Sequence, residues 1–98
     1  MSSLTADQVA LQLQDLDGWT LDNHSLVKTF EFADFASVIA FMTHVAFYCQ
    51  ELEHYPQWQN YYNILTVRLG DANQPAVQSR DVQLAKRIQT CLNAIQPN

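Results

Sequence analysis

Two glycines and three prolines in 98 residues leave little room for a linker or a low-complexity segment, and only 15% of the residues are charged. A chain that is 48% hydrophobic at this charge content folds rather than staying disordered. Two isolated glycines also exclude the glycine-rich loops that cradle phosphate. Cys49 and Cys91 form no Cys-x-x-Cys pair, so disulfide frameworks and redox motifs are excluded and both read as reduced, packed thiols. Basic residues are equally scarce, five against ten acids, and the longest basic cluster is Lys86-Arg87. Direct nucleic-acid binding, which needs a concentrated basic face, is disfavoured. The N-terminus shows no basic region followed by an apolar run, and no apolar stretch is expected to approach the ~18 residues of a bilayer span. The expectation is a cytoplasmic protein with no membrane partner, folded as one domain over residues 1–98.

What the chain does have is aromatic surface: two Trp, four Tyr and five Phe. A chain this short leaves roughly a third of its extended surface exposed, so eleven aromatics leave apolar area for self-association or a ligand. The net charge of −5 is uneven. Residues 1–53 carry eight acids and only Lys28, whereas residues 54–98 carry Asp71 and Asp81 against Arg68, Arg80, Lys86 and Arg87, a split of −7 and +2. Such polarity can orient subunits or a partner, or simply solvate two faces.

Thr5-Ala6-Asp7-Gln8 reads as a capping box that opens a short helix over about 5–15, with Val9, Leu13 and Leu16 on one face. Asp17-Gly18 breaks it. Trp19-Thr20-Leu21, the turn formers Asp22-Asn23-His24, and Leu26 to Phe32 then read as a hairpin with one wet face. Asp34 is a good N-cap for a helix over 35–52. Phe35, Ile39, Met42, Ala46 and Cys49 follow one stripe of that helix, and Val38, Phe41, Val45 and Leu52 another. One stripe suffices for the chain's own core, so the second predicts a helix-to-helix subunit contact. Pro56 stops the helix, two strands follow over 57–61 and 64–69, and a final helix over 77–95 carries Val82, Ala85, Ile88 and Leu92 on one face. The order helix, strand, strand, helix, strand, strand, helix predicts an α+β fold: a four-stranded antiparallel sheet with three helices packed on one face.

Imidazole is the side chain that ordinarily titrates near neutrality, and the chain has three, His24, His44 and His54. None forms an i,i+4 metal pair with another, and no nucleophile elbow surrounds any Ser or Cys. The informative segment is Glu51-Leu52-Glu53-His54-Tyr55-Pro56-Gln57-Trp58, the densest polar-aromatic cluster in the chain. A helix end before Pro leaves carbonyls open, a suitable place to hold a flat heterocycle by stacking and hydrogen bonding. The alternative is structural: His54 caps the helix carbonyls, Trp58 is core and Tyr55 fills a corner.

Four ordered stretches, Phe30-Glu31-Phe32-Ala33-Asp34-Phe35, Phe41-Met42-Thr43-His44-Val45-Ala46, Glu53-His54-Tyr55-Pro56-Gln57-Trp58 and Ser79-Arg80-Asp81-Val82-Gln83-Leu84-Ala85, resemble the pterin-4a-carbinolamine dehydratase family over about residues 18–95. The resemblance implies the same α+β fold, assembly into dimers or tetramers through the long helix or sheet edges, and no metal or cofactor. It also implies dehydration of a 4a-hydroxytetrahydropterin to a quinonoid dihydropterin by a His-His-Pro motif and a third His in the loop after the last strand. Acid–base catalysis explains that choice, because the C4a hydroxyl leaves as water once protonated while a ring N–H proton must be accepted.

This chain departs from the motif. His54 matches the first His, but Tyr55 stands at the second, Ala72 at the third, and Gln50 where the family has an acid. A phenol donates hydrogen bonds but accepts protons poorly at neutral pH, and Ala does neither. The resemblance therefore implies a degenerate site, with Glu53, His54, Tyr55, Pro56 and Trp58 as the pterin pocket if one is retained and His54 as its catalytic residue. A catalytically emptied dehydratase fold resembles two reuses, a transcription-factor dimerisation cofactor of animals and a Rubisco assembly factor of the α-carboxysome; the second, with the Rubisco large subunit as partner, is the reading the departures favour. An active dehydratase in tetrahydropterin recycling and a pterin-binding sensor are the alternatives.

Overall fold

The computed structural model describes residues 3–70 and 73–95. Seven elements follow in order: α1 (Ala6–Leu13), β1 (Thr20–Asp22), β2 (Ser25–Glu31), α2 (Phe35–Leu52), β3 (Gln57–Tyr61), β4 (Ile64–Leu69) and α3 (Ser79–Ile95). The strands form one antiparallel sheet in the order β1-β2-β4-β3, with helices against one face. The predicted α+β fold is the fold observed.

Alternation decides which face is covered. Leu26, Phe30, Leu65, Val67 and Leu69 are buried, and the register sets Leu26 beside Leu69 and Phe30 beside Leu65. The alternation of β2 is broken because Lys28 takes a core-facing position between Leu26 and Phe30. Its ammonium donates to the Asp17 carbonyl and to Gln89 Oε1, each at 2.8 Å, and lies 5.0 Å from the centre of the Phe30 ring. Burial pulls the amine below the usual lysine range, against the opposing pull of Asp17.

Under the sheet, Trp19, Phe30, Phe32 and Phe41 pack as an aromatic cluster with centroids 5.1–6.4 Å apart. Phe41 is fully buried, and truncating such a ring typically costs about 3–5 kcal/mol. From α2 the core takes Val38, Phe41, Val45 and Cys49, so Cys49 belongs to the buried stripe and not with Phe35. Phe35, Ile39 and Phe47 are 50%, 41% and 68% exposed, apolar side chains of α2 that no other described residue buries. Contrary to the expectation from the sequence, this helix is long and apolar enough, by length and composition, to match a bilayer span. Its buried side chains face the core.

Both caps form as read. Thr5 and Gln8 exchange backbone and side-chain hydrogen bonds in a capping box, and the Asp34 carboxylate accepts from the Ser37 N–H at 2.8 Å. The first two strands sit one residue off the sequence reading, with Asp22, read as a turn former, closing β1, and two helix boundaries differ as well. α1 ends at Leu13, and α3 begins at Ser79 because Val77 and Gln78 are drawn into extended pairing with Ser3 and Leu4.

Candidate functional site

The site begins with the way α2 ends. Glu53 takes a left-handed backbone, φ 52° and ψ 43°, and its N–H donates to the Cys49 and Gln50 carbonyls. Glycine usually fills such a cap, since a side chain there costs roughly 1–2 kcal/mol. The turn reverses the chain, the His54 N–H reaches the Cys49 carbonyl at 3.1 Å, and the imidazole is aimed at the start of α3. The Glu53 side chain itself is exposed, so its contribution here is conformational.

At α3 the His54 ring meets Asp81, with Nε2 to Oδ1 at 2.6 Å. Asp81 has no exposed surface, and its other oxygen accepts from the Gln78 N–H at 2.9 Å and the Gln74 amide at 3.0 Å. A buried carboxylate needs such partners, and it can only accept. His54 therefore donates from Nε2, which leaves Nδ1 as its basic nitrogen. The side chain of His54 is 18% exposed, so the dyad is reachable from outside. Asp81 also lies in the first turn of α3, where a negative charge complements the helix dipole.

Beside the dyad, at the same junction, a cleft of about 380 Å³ is lined by Ala46, Cys49, Gln50, Tyr55, Pro56 and Trp58. That volume suits one small heterocycle. The structure thus divides the pocket expected from sequence. Tyr55, Pro56 and Trp58 line the cleft together with Gln50, while His54 and Glu53 are not among its walls. Burial pushes the Cys49 thiol up, so a phenol, an amide, an indole and a neutral thiol are what the cleft offers. Ala72 lies outside the described residues. No three His, Cys, Asp or Glu side chains gather as a metal group among the described residues.

Asp81 carries no role in the sequence reading beyond its place in a matching stretch. A signal was present, since an acid at 81 keeps helical phase with the buried Leu84, Ile88 and Cys91. A charge on an apolar stripe needs a partner, and His54 is that partner.

The comparisons decide the family. A family model for pterin 4 alpha carbinolamine dehydratase matches residues 2–91. The chain belongs to the pterin-4a-carbinolamine dehydratase family. A relative from Prochlorococcus marinus (strain MIT 9313), which carries the provisional name pterin-4-alpha-carbinolamine dehydratase, is 34% identical over 85 residues, 87% of this chain and 88% of its own. Among solved structures, a transcriptional coactivator/pterin dehydratase from Brucella melitensis superposes with a TM-score of 0.85 at 30% identity, covering 92% of this chain and 98% of that one. A pterin dehydratase-like protein identified as a RuBisCO assembly factor in the α-carboxysome superposes at 0.61 and 20% identity, covering 74% and 84%, which shows a shared fold. His54 stands with its Asp81 partner, and Tyr55 and Gln50 line the cleft.

Proposed function

We propose that this chain is a dehydratase-family protein with a degenerate site, which binds a reduced pterin in the cleft beside Tyr55 and turns it over slowly at most. The observation that carries this reading is the make-up of the cleft: stacking surface from Trp58 and Tyr55, hydrogen-bonding groups from Gln50 and Tyr55, and no acid–base pair among the described residues on its walls. One proton acceptor, His54 Nδ1, stands nearby on its Asp81 partner. It can take the ring N–H proton, but the matching donor to the departing C4a hydroxyl would have to be a phenol. Losing one general acid or base commonly lowers rate by ~10²–10⁴, so two lost positions acting independently predict a deficit of at least roughly 10⁴-fold against an active member.

The test is dehydration of a 4a-hydroxytetrahydropterin beside an active family member, with Trp fluorescence reporting binding. Binding with turnover at least about a thousandfold below the active member supports the reading. Turnover within tenfold, lost in His54→Ala, would mean that the acid–base pair has been rebuilt and the chain is an ordinary dehydratase.

A second reading, a non-catalytic assembly factor with the Rubisco large subunit as partner, draws support from the uncovered apolar flank of α2 and from the fold shared with the α-carboxysome protein. It takes the chain as a homo-oligomer, dimer or tetramer, working through α2 or the sheet edges. No pterin binding together with a raised yield of assembled Rubisco on co-expression would favour it over the first.

A further inference from the structure

Gln74 belongs to neither motif nor cleft, yet it touches three parts of the fold. Its Nε2 donates to Asp81 Oδ2 at 3.0 Å and to the His24 carbonyl at 2.9 Å, joining the loop before α3 to the β1–β2 turn and to the buried carboxylate. The place it occupies is specific. Gly70, at φ +98° on the end of β4, lies so close that a Cβ there would collide with the Gln74 amide nitrogen and press on the His24 carbonyl. Glycine is thus required both for the backbone and for the side chain that crosses it.

The consequence for the dyad follows from counting acceptor positions. Asp81 is held by three donors: the Gln78 N–H and Gln74 amide on Oδ2, and His54 on Oδ1. The Gln78 bond comes from the carboxylate's own helix start and leaves the group free to turn about its terminal torsion, which is broad for Asp. Gln74, from outside the helix, opposes that rotation and keeps Oδ1 facing Nε2. We propose that Gln74 is a positioning residue of the His54–Asp81 pair, clamping the carboxylate so that His54 Nε2 stays bonded and Nδ1 stays the base. Its relevance to pterin chemistry rests on the reading of His54 as the site's proton acceptor.

The clamp can be tested without any pterin. The imidazole Nε2–H proton held on Asp81 gives a low-field NMR signal whose exchange lifetime reports how firmly the pair is closed. Gln74→Met keeps side-chain length and removes the donor, and Gln74→Glu turns an acceptor toward the carboxylate. A hydrogen bond to a charged group is strong enough that its loss should shorten the lifetime about tenfold or more in the Met variant, and further in the Glu variant. A lifetime in Gln74→Met within twofold of the parent would overturn the proposal, whatever happens to stability, because a merely space-filling Gln74 leaves the signal untouched. Should that variant fail to fold, Gln74→Asn, which keeps the amide one methylene short, carries the same expectation and the same refutation. A dehydration assay that finds no turnover would remove the acid–base reading of His54 and leave the clamp standing.

Discussion

Asp81→Ala should be among the most damaging single substitutions outside the apolar core. The side chain is fully buried and three N–H groups converge on it from Gln78, Gln74 and His54. Deleting the carboxylate leaves these donors facing one another around a hole. Breaking a buried pair by removing one partner typically costs about 3–5 kcal/mol. Total stability for a domain of this size is of the order of 5–15 kcal/mol, so the variant loses roughly a fifth of it or more. At about 4–8 °C per kcal/mol the melting temperature should fall by roughly 12 °C or more.

Asp81→Asn separates structure from charge. Its amide oxygen still accepts from Gln78 and Gln74, but its NH₂ now faces His54, which must move its proton to Nδ1 to accept at Nε2. The expected loss is smaller, about 1–3 kcal/mol, while the base that Nδ1 offered is gone. Urea unfolding of parent, Asp81→Ala, His54→Ala and the double variant measures the coupling, expected at about 0.5–3 kcal/mol for two residues in one bond. If Asp81→Ala costs less than about 1 kcal/mol, or the two substitutions are additive, the buried dyad does not hold this junction together and the reasoning fails.

Two further outcomes follow. Phe47, 68% exposed on the uncovered flank of α2, should report self-association: Phe47→Asp is expected to shift an oligomer toward monomer by analytical ultracentrifugation, and a parent already monomeric at tens of micromolar would dismiss that contact. The Asp34 carboxyl is held below its ordinary value, first by its hydrogen bonds from Ser37, while burial pushes weakly the other way. A depressed carboxylate contributes stability that is present above its unfolded pKa and lost as pH falls through the folded one, so Asp34→Ala should be less stable than the parent at neutral pH and converge with it in acid. A gap that stays constant down to pH 2 would show that the Asp34 charge is not what caps α2.

Much of the frame is legible because it is written in local rules. Thr5 and Gln8 are three residues apart, Asp34 precedes an apolar run, and Leu65, Val67 and Leu69 alternate with Thr66 and Arg68; each pattern needs only its own segment to be read. The misreadings arise where distant segments compete. Val77 and Gln78 look helical until Ser3 and Leu4 pair with them, and Lys28 breaks the alternation of β2 because Gln89, sixty-one residues away, accepts from it.

The site shows the same division more sharply. The cluster from Glu53 to Trp58 is visible as composition, but composition cannot say that a left-handed Glu53 turns His54 toward α3 and leaves Tyr55 and Trp58 at the cleft. One residue of offset in the direction of that turn decides whether this segment forms one acid–base pocket or two half-sites. The stacking half answers to ligand shape, and the dyad half answers to the packing of α3. Stacking on Trp58 and Tyr55 needs nothing from His54, which is not among the cleft's walls, and this is the physical reason to expect binding to survive where turnover does not. Restoring His at position 55 therefore puts an imidazole directly on the cleft wall, and Tyr55→His should raise dehydration by one to two orders of magnitude if the missing acid–base group is what limits it. A variant that binds pterin equally well and gains nothing would place the limitation elsewhere, in the geometry between the cleft and the dyad.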